Sequence, residues 1–203
     1  WRGVNSYRIH THFEILWGVP KRIDATPARP KGKGDEKSVL VGVLKPDRRY
    51  VTDRGHAKFE LFNQISAIGS SYLCRARDNS TPKFLSPRPL SDADRSAGIE
   101  SDTEVVLGTN TLNRKIQATD HRVRYIVVKT PPHARTDTEG NNSDGYLRLV
   151  TDVTKLTDVT AELIAEAYRL RWLIELFFRM IKQLLGCRHL LATKHGGVGI
   201  QMY

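Results

Sequence analysis

From Tyr7 to Ile15 apolar and polar residues alternate, YRIHTHFEI, at the period of a half-buried strand, and a second such run, PKRIDATP, follows the turn signal at Gly18. The pair predicts an antiparallel hairpin. DEKSVLVGVL predicts a short helix. RRYVTDRG reads as a strand that ends at Asp53 and is stopped by Gly55, HAKFELFNQISAIG as an amphipathic helix stopped by Gly69, and SSYLCRARDN as a further strand. Such a β-α-β stretch is expected to be a right-handed parallel crossover, with Asp53 at the carboxyl end of its strand, where open α/β sheets build their sites.

The pattern changes between Ser80 and Asp152. Loops rich in Pro, Ser and Asp surround three strand-like runs, TEVVLGT, HRVRYIVVKT and YLRLVTDV, which predict an inserted antiparallel section. PPHARTDTEGNNSDG, between the last two runs, predicts an exposed hairpin loop. No internal repeat is evident.

One of the most apolar stretches, AYRLRWLIELFFRMIKQ at 167–183, predicts a single long helix with charges running through its middle. At about 100° per residue, Tyr168, Arg171, Trp172, Glu175, Arg179 and Lys182 fall on one stripe. The opposite arc is apolar but for Arg169, so a helix buried around most of its girth and open along a seam is expected. Two readings fit that seam. Glu175 has arginines four residues before and after it, as a salt-bridged solvent face would. One carboxylate among cations and aromatics also suits a metal and an anionic backbone.

Charge bears on the choice. Lys and Arg outnumber Asp and Glu 32 to 22 in 203 residues, a formal charge of +10 that favours a polyanionic partner such as nucleic acid or serves solubility alone. A chain of this length with 39% hydrophobic residues buries a core of its own. Cys74 and Cys187 have no metal-ligand spacing and are too few for a disulfide framework, and no secretory segment or run of eighteen apolar residues occurs. A soluble cytoplasmic protein is expected. The chain opens on Trp1 and stops in an apolar run at Tyr203, as a piece of something longer would.

Tyr168, Arg171, Glu175 and Lys182, at offsets of three, four and seven, resemble the Y-R-E-K signature of DDE transposases from bacterial insertion sequences, the IS-four-type group. YVTDRG followed by FELFNQI resembles the surroundings of that family's second catalytic aspartate, and SSYLCRARDN the strand that follows it. The resemblance implies an α/β, RNase-H-like catalytic core with an inserted antiparallel β section before the glutamate-bearing helix. On that reading 1–79 is the first part of the core without its first strand, 80–152 the β-rich insertion, and 153–203 the C-terminal helical part with Glu175.

What the resemblance implies for function follows residue by residue. Asp53 and Glu175 match the second and third acidic residues, which with a first aspartate hold divalent cations, Mg²⁺ or Mn²⁺, for in-line phosphodiester cleavage and strand transfer. Arg171 and Lys182 match phosphate contacts, Tyr168 a hydrogen-bond donor beside them, and Trp172 an aromatic that supports an extruded end base; Arg179 shares their stripe as a DNA-binding cation. The implied partners are double-stranded DNA at transposon ends, target DNA and a second copy of the chain in a synaptic homodimer, in a bacterial, nucleoid-associated setting. Two departures stand out. The family's first aspartate lies on a strand before the opening hairpin, so the catalytic set within these 203 residues is expected to be incomplete and the piece inactive alone. His56 stands where relatives usually carry Tyr or Phe. A catalytically inactive DNA-binding remnant is the alternative. Asp24 is a weaker candidate for a replacement carboxylate, since an aspartate near a turn on an edge strand is usually solvated. His121, His133, His189 and His195 lack zinc-site spacing.

Overall fold

A computed structural model of the chain describes residues 7–27, 36–77, 80–109, 117–130, 144–154 and 159–183. They divide between two compact units, Trp1–Leu44 with Leu170–Tyr203, and Lys45–Arg169. These divisions fall elsewhere than at the composition changes near 80 and 152.

In the first unit, strands β1 (Tyr7–Glu14) and β2 (Val19–Pro27) pair antiparallel, with the register shifting between His12 and Phe13. Gly18 closes the intervening turn at φ +66°, a conformation glycine adopts without strain. Ile9, Thr11 and Ile23 share one face by the period of two, and Phe13 packs its ring against Phe177, centroids 5.5 Å apart. Helix α1 (Glu36–Val41) covers part of the short helix expected from the sequence, its end followed by Gly42.

The second unit is built on one mixed sheet. Strand β3 (Arg49–Thr52), helix α2 (Phe59–Ala67) and strand β4 (Ser71–Arg75) form the expected crossover, β3 lying parallel to β4. Gly69, at φ +74°, ends the helix as anticipated. Strand β5 (Thr81–Pro87), helix α3 (Asp92–Ser96) and strands β6 (Ile99–Thr109), β7 (Gln117–Ala118), β8 (Val123–Lys129) and β9 (Tyr146–Thr151) follow. The order is β3-β4-β9-β8-β6-β5, with β7 on β6, and every pair except β3–β4 is antiparallel. The antiparallel strands thus extend the sheet of the crossover. β8 and β9 form the expected hairpin; its loop, 131–143, lies outside the described residues.

At β4 the sheet is buried on both faces. Phe62 of α2 stacks on Tyr72, 4.1 Å between centroids and nearly parallel. The next side chain along β4, Leu73, points the other way, into a cluster with Ile99, Ile126, Val128, Leu149 and helix α4 (Ala161–Arg169). Ala161, Ile164, Ala165 and Tyr168 are the buried residues of α4, the i, i+3, i+4, i+7 positions of one helical face. Burial of a β4 interior on two sides explains its continuous apolar run.

The expected single helix over 167–183 is two. α4 stops at Arg169, Leu170 and Arg171 form a turn, and α5 (Trp172–Gln183) begins beyond them. At the break the Leu173 and Ile174 amides bond the carbonyls of Leu170 and Arg171, a tighter i→i−3 pattern. Tyr168 therefore belongs to α4 and to the core of the second unit. Helix α5 is not buried around its girth: none of its residues is fully buried, and Leu176 and Met180 are exposed. Among the described residues no helix is long and apolar enough to cross a membrane.

Candidate active site

Asp53 follows the last residue of β3 and begins a 3₁₀ turn, Arg54–His56. Its side chain folds back on that turn. Oδ1 accepts the Gly55 amide at 2.9 Å, and His56 Nδ1 lies 3.0 Å from the same oxygen. A Cβ at position 55 would lie 3.0 Å from Asp53 Oδ1, a tight approach that glycine relieves. The backbone is held as well, because the Cys74 thiol on β4 donates to the Asp53 carbonyl at 3.1 Å. Burial pushes the Cys74 thiol up to about 12, Thr52 opposing and the Asp53 charge adding to the shift. It stays protonated, a donor rather than a nucleophile or metal ligand. The Asp53 side chain is 54% exposed beside a His56 only 15% exposed. A carboxylate is thus presented to solvent from a fixed base.

Glu175 lies in the first turn of α5, where a negative charge is favoured by the helix dipole. Arg171 Nη2 meets its Oε1 at 2.5 Å, with Glu175 42% and Arg171 27% exposed. Trp172 is exposed, and the Arg179 guanidinium sits 5.4 Å from its ring centroid, a cation–π contact. Lys182 is exposed in the last turn. Within α5 the spacing of Trp172, Glu175, Arg179 and Lys182 keeps them on one stripe. Tyr168, 8% exposed, is placed in the core of the second unit. Asp53 belongs to the second unit and Glu175 to the first, and each is described in its own surroundings.

Asp24 bonds Arg22 at 2.6 and 3.0 Å, and the Arg22 hydrogen bond holds its carboxyl below the usual range. That pairing accounts for it as a surface residue. Among the described residues, neither unit gathers three or more His, Cys, Asp or Glu side chains in metal-binding reach. His121 is occupied by Asp120 and Tyr72, at 2.8 and 3.0 Å; His133, His189 and His195 lie outside the described residues. The contacts made by His56 and Cys74 were not readable from spacing. Only the adjacency of His56 to Asp53 in DRGH pointed that way.

The sequence matches the family described as the transposase DDE domain over residues 3–203. The chain belongs to the DDE transposase family. It is 27% identical over 204 residues to the "Probable transposase for insertion sequence element IS5377" of Geobacillus stearothermophilus, covering 100% of this chain and 48% of that protein. It is 22% identical over 200 residues to the "Putative transposase y4zB" of Sinorhizobium fredii (strain NBRC 101917 / NGR234), covering 98% of this chain and 51% of the other. The chain spans about half the length of these relatives.

DDE transposase domains are generally dependent on divalent metal ions, and the candidate carboxylates of this chain are, each in its own unit, of the chemical type such an ion takes. Asp53 and Glu175 offer hard carboxylate oxygens, partly exposed and already supported by neighbouring donors, the chemistry that Mg²⁺ and Mn²⁺ select. The soft ligand nearby, Cys74, is buried and protonated.

Proposed function

We propose that this chain is the catalytic part of a DNA transposase that cleaves phosphodiesters at transposon ends and joins the freed 3′-hydroxyl to a second strand. The carrying observation is Asp53, a solvent-facing carboxylate pinned at the carboxyl end of a β-α-β strand in a chain of the DDE family. Asp53 and Glu175 would each offer a carboxylate to Mg²⁺ or Mn²⁺. Bound there, the cations would activate a water or 3′-hydroxyl and stabilise the leaving oxygen.

The chain's other residues bind and orient. Arg171 and Lys182 neutralise phosphates next to the cut, and Arg179 lends charge to the same strand. Trp172 presents an exposed ring on which an extruded end base would stack. Tyr168 donates a hydrogen bond to the backbone, its ring anchored among Leu73, Ile99 and Leu149. The partners are duplex DNA and a second copy of the chain, at the nucleoid of a bacterial cytoplasm.

A second reading, an inactive DNA-binding remnant, draws on the lack of a third acidic ligand around Asp53 among the described residues. Nicking of an end-containing duplex by the full-length protein in Mg²⁺ separates the two. Glu175→Gln should abolish nicking and leave DNA binding nearly unchanged, whereas Lys182→Ala should weaken binding first. A full-length protein that binds the ends and never nicks them would favour the remnant.

A further inference from the structure

We infer that His56 is a positioning residue for the Asp53 carboxylate, its Nδ1–H and the Gly55 amide together holding Oδ1. The inference rests on the reading of Asp53 as a metal ligand and goes beyond it by naming what orients that ligand.

The contacts that hold Oδ1 are local. Asp53 caps the turn Arg54–His56 with φ −85° and ψ 177°, an extended conformation that lets its side chain reach forward over the turn. The Gly55 amide and His56 Nδ1 converge on one oxygen at 2.9 and 3.0 Å. The His56 amide bonds the Asp53 carbonyl at 3.1 Å, so backbone and ring of one residue grip both ends of the other. An aspartate that is otherwise more than half exposed would rotate about two side-chain torsions, and a cation binding one oxygen would have to arrest that motion. Two donors on Oδ1 arrest it beforehand. Outer donors of this kind commonly shift metal affinity by about 10- to 100-fold.

His56 is mostly buried while the carboxylate it touches is not, so a packing role has to be separated from a donor role. Phenylalanine keeps a ring of similar size and removes the donor. Asparagine loses the ring but places Nδ2 close to where Nδ1 stands.

The test is Mn²⁺ titration of the full-length protein by electron paramagnetic resonance, comparing the parent with Asp53→Asn, His56→Phe and His56→Asn. Asp53→Asn should lose the site. His56→Phe should bind Mn²⁺ roughly ten-fold more weakly, and His56→Asn should stay within about three-fold of the parent by keeping one of the two donors. If Asp53→Asn weakens binding and His56→Phe does not, the positioning role is overturned and the metal site stands. Equal losses in the Phe and Asn variants would show that a donor at this place does not restore binding and would also overturn it, while a loss in the Asn variant alone would assign the effect to ring packing. If Asp53→Asn binds like the parent, the site reading falls and takes this inference with it. Nitrogen-15 resonances of the unsubstituted protein check the donor without any variant. A protonated Nδ1 at His56 is expected, and a bare one would contradict the assignment.

Discussion

Arg171 and Glu175 stand four residues apart and close a 2.5 Å contact between guanidinium and carboxylate, although Arg171 precedes the helix that carries Glu175. Both side chains are partly exposed, so the pair is worth a few tenths of a kcal/mol, like other i,i+4 pairs. On the proposed reading Arg171 would contribute to DNA binding rather than to folding. Arg171→Ala should change the unfolding free energy by less than about 0.5 kcal/mol. In the same variant the slope of log affinity for duplex DNA against log salt should fall by about one. Chemical denaturation and filter binding on one preparation measure both.

The opposite balance holds for Arg124 and Asp102. Three contacts of 2.5 to 2.9 Å join them across β8 and β6, both almost wholly buried, while Arg124 also donates to the Val159 carbonyl at 2.7 Å, just ahead of α4. Removing one partner leaves a buried charge. Asp102→Ala should cost about 3–5 kcal/mol in urea unfolding. A double change to well-packed apolar residues should cost much less.

Two aspartates give pH dependences of opposite sign. Burial alone would raise the Asp94 pKa, but amide donors from Glu162 and Ser91 and the Ser91 hydroxyl outweigh it, and the carboxyl is lowered. The stability Asp94 confers is therefore full above its unfolded value of about 3.9 and is lost as pH falls through the folded one. Asp94→Asn should destabilise at pH 7 by a margin that shrinks in acid. Asp152 is raised by burial, in spite of the amide it accepts from Tyr72. Its ionised form opposes folding at neutral pH, and the penalty fades as pH falls through the folded value toward the unfolded one. Asp152→Asn should raise the melting temperature at pH 7, with a gain that disappears near pH 4. Thermal melts across pH 3.5 to 7.5 test both signs.

With a formal charge of +10, the protein should bind duplex DNA without strong sequence preference, and counterion release should make that binding fall steeply between about 50 and 200 mM salt. Anisotropy titrations on a random duplex follow it. Binding that ignores salt would remove the charge argument.

Local signals carried the elements that were legible. Alternation from Tyr7 gave the hairpin, and the run ending at Asp53, the helix stopped by Gly69 and the apolar β4 gave the crossover. What was missed depended on distant partners. β5 contains Pro82 and Pro87 and resembles a loop, yet it lies at the sheet edge, where prolines forfeit few ladder bonds. β6 begins at Ile99 rather than near Thr103, because the Asp102 within it is neutralised by an arginine 22 residues away. The break at Leu170 and Arg171 has no glycine or proline to announce it. The buried period of α4 runs from Ala161 to Tyr168 and ends there, so Tyr168 packs on the sheet with the rest of the buried face of α4. At the site, Asp53 and Glu175 were named as candidate ligands through the resemblance to the family, the pattern of charges alone leaving a salt-bridged surface open for Glu175. The grip of His56 and Cys74 on Asp53 was not, since it depends on how a turn folds against β4.

The central claim is that Asp53 and Glu175 bind the cations of the cleavage reaction, and exchanging the ligand atom tests it most directly. Asp53→Cys and Glu175→Cys replace a hard oxygen with a softer sulfur, which tolerates Mn²⁺ better than Mg²⁺. In end-nicking assays on the full-length protein, each variant should be inactive in Mg²⁺ and regain measurable cleavage in Mn²⁺, while DNA binding stays near that of the parent in both. Full activity in Mg²⁺ at either position, or a loss there that Mn²⁺ never relieves while it supports the parent, would contradict the assignment.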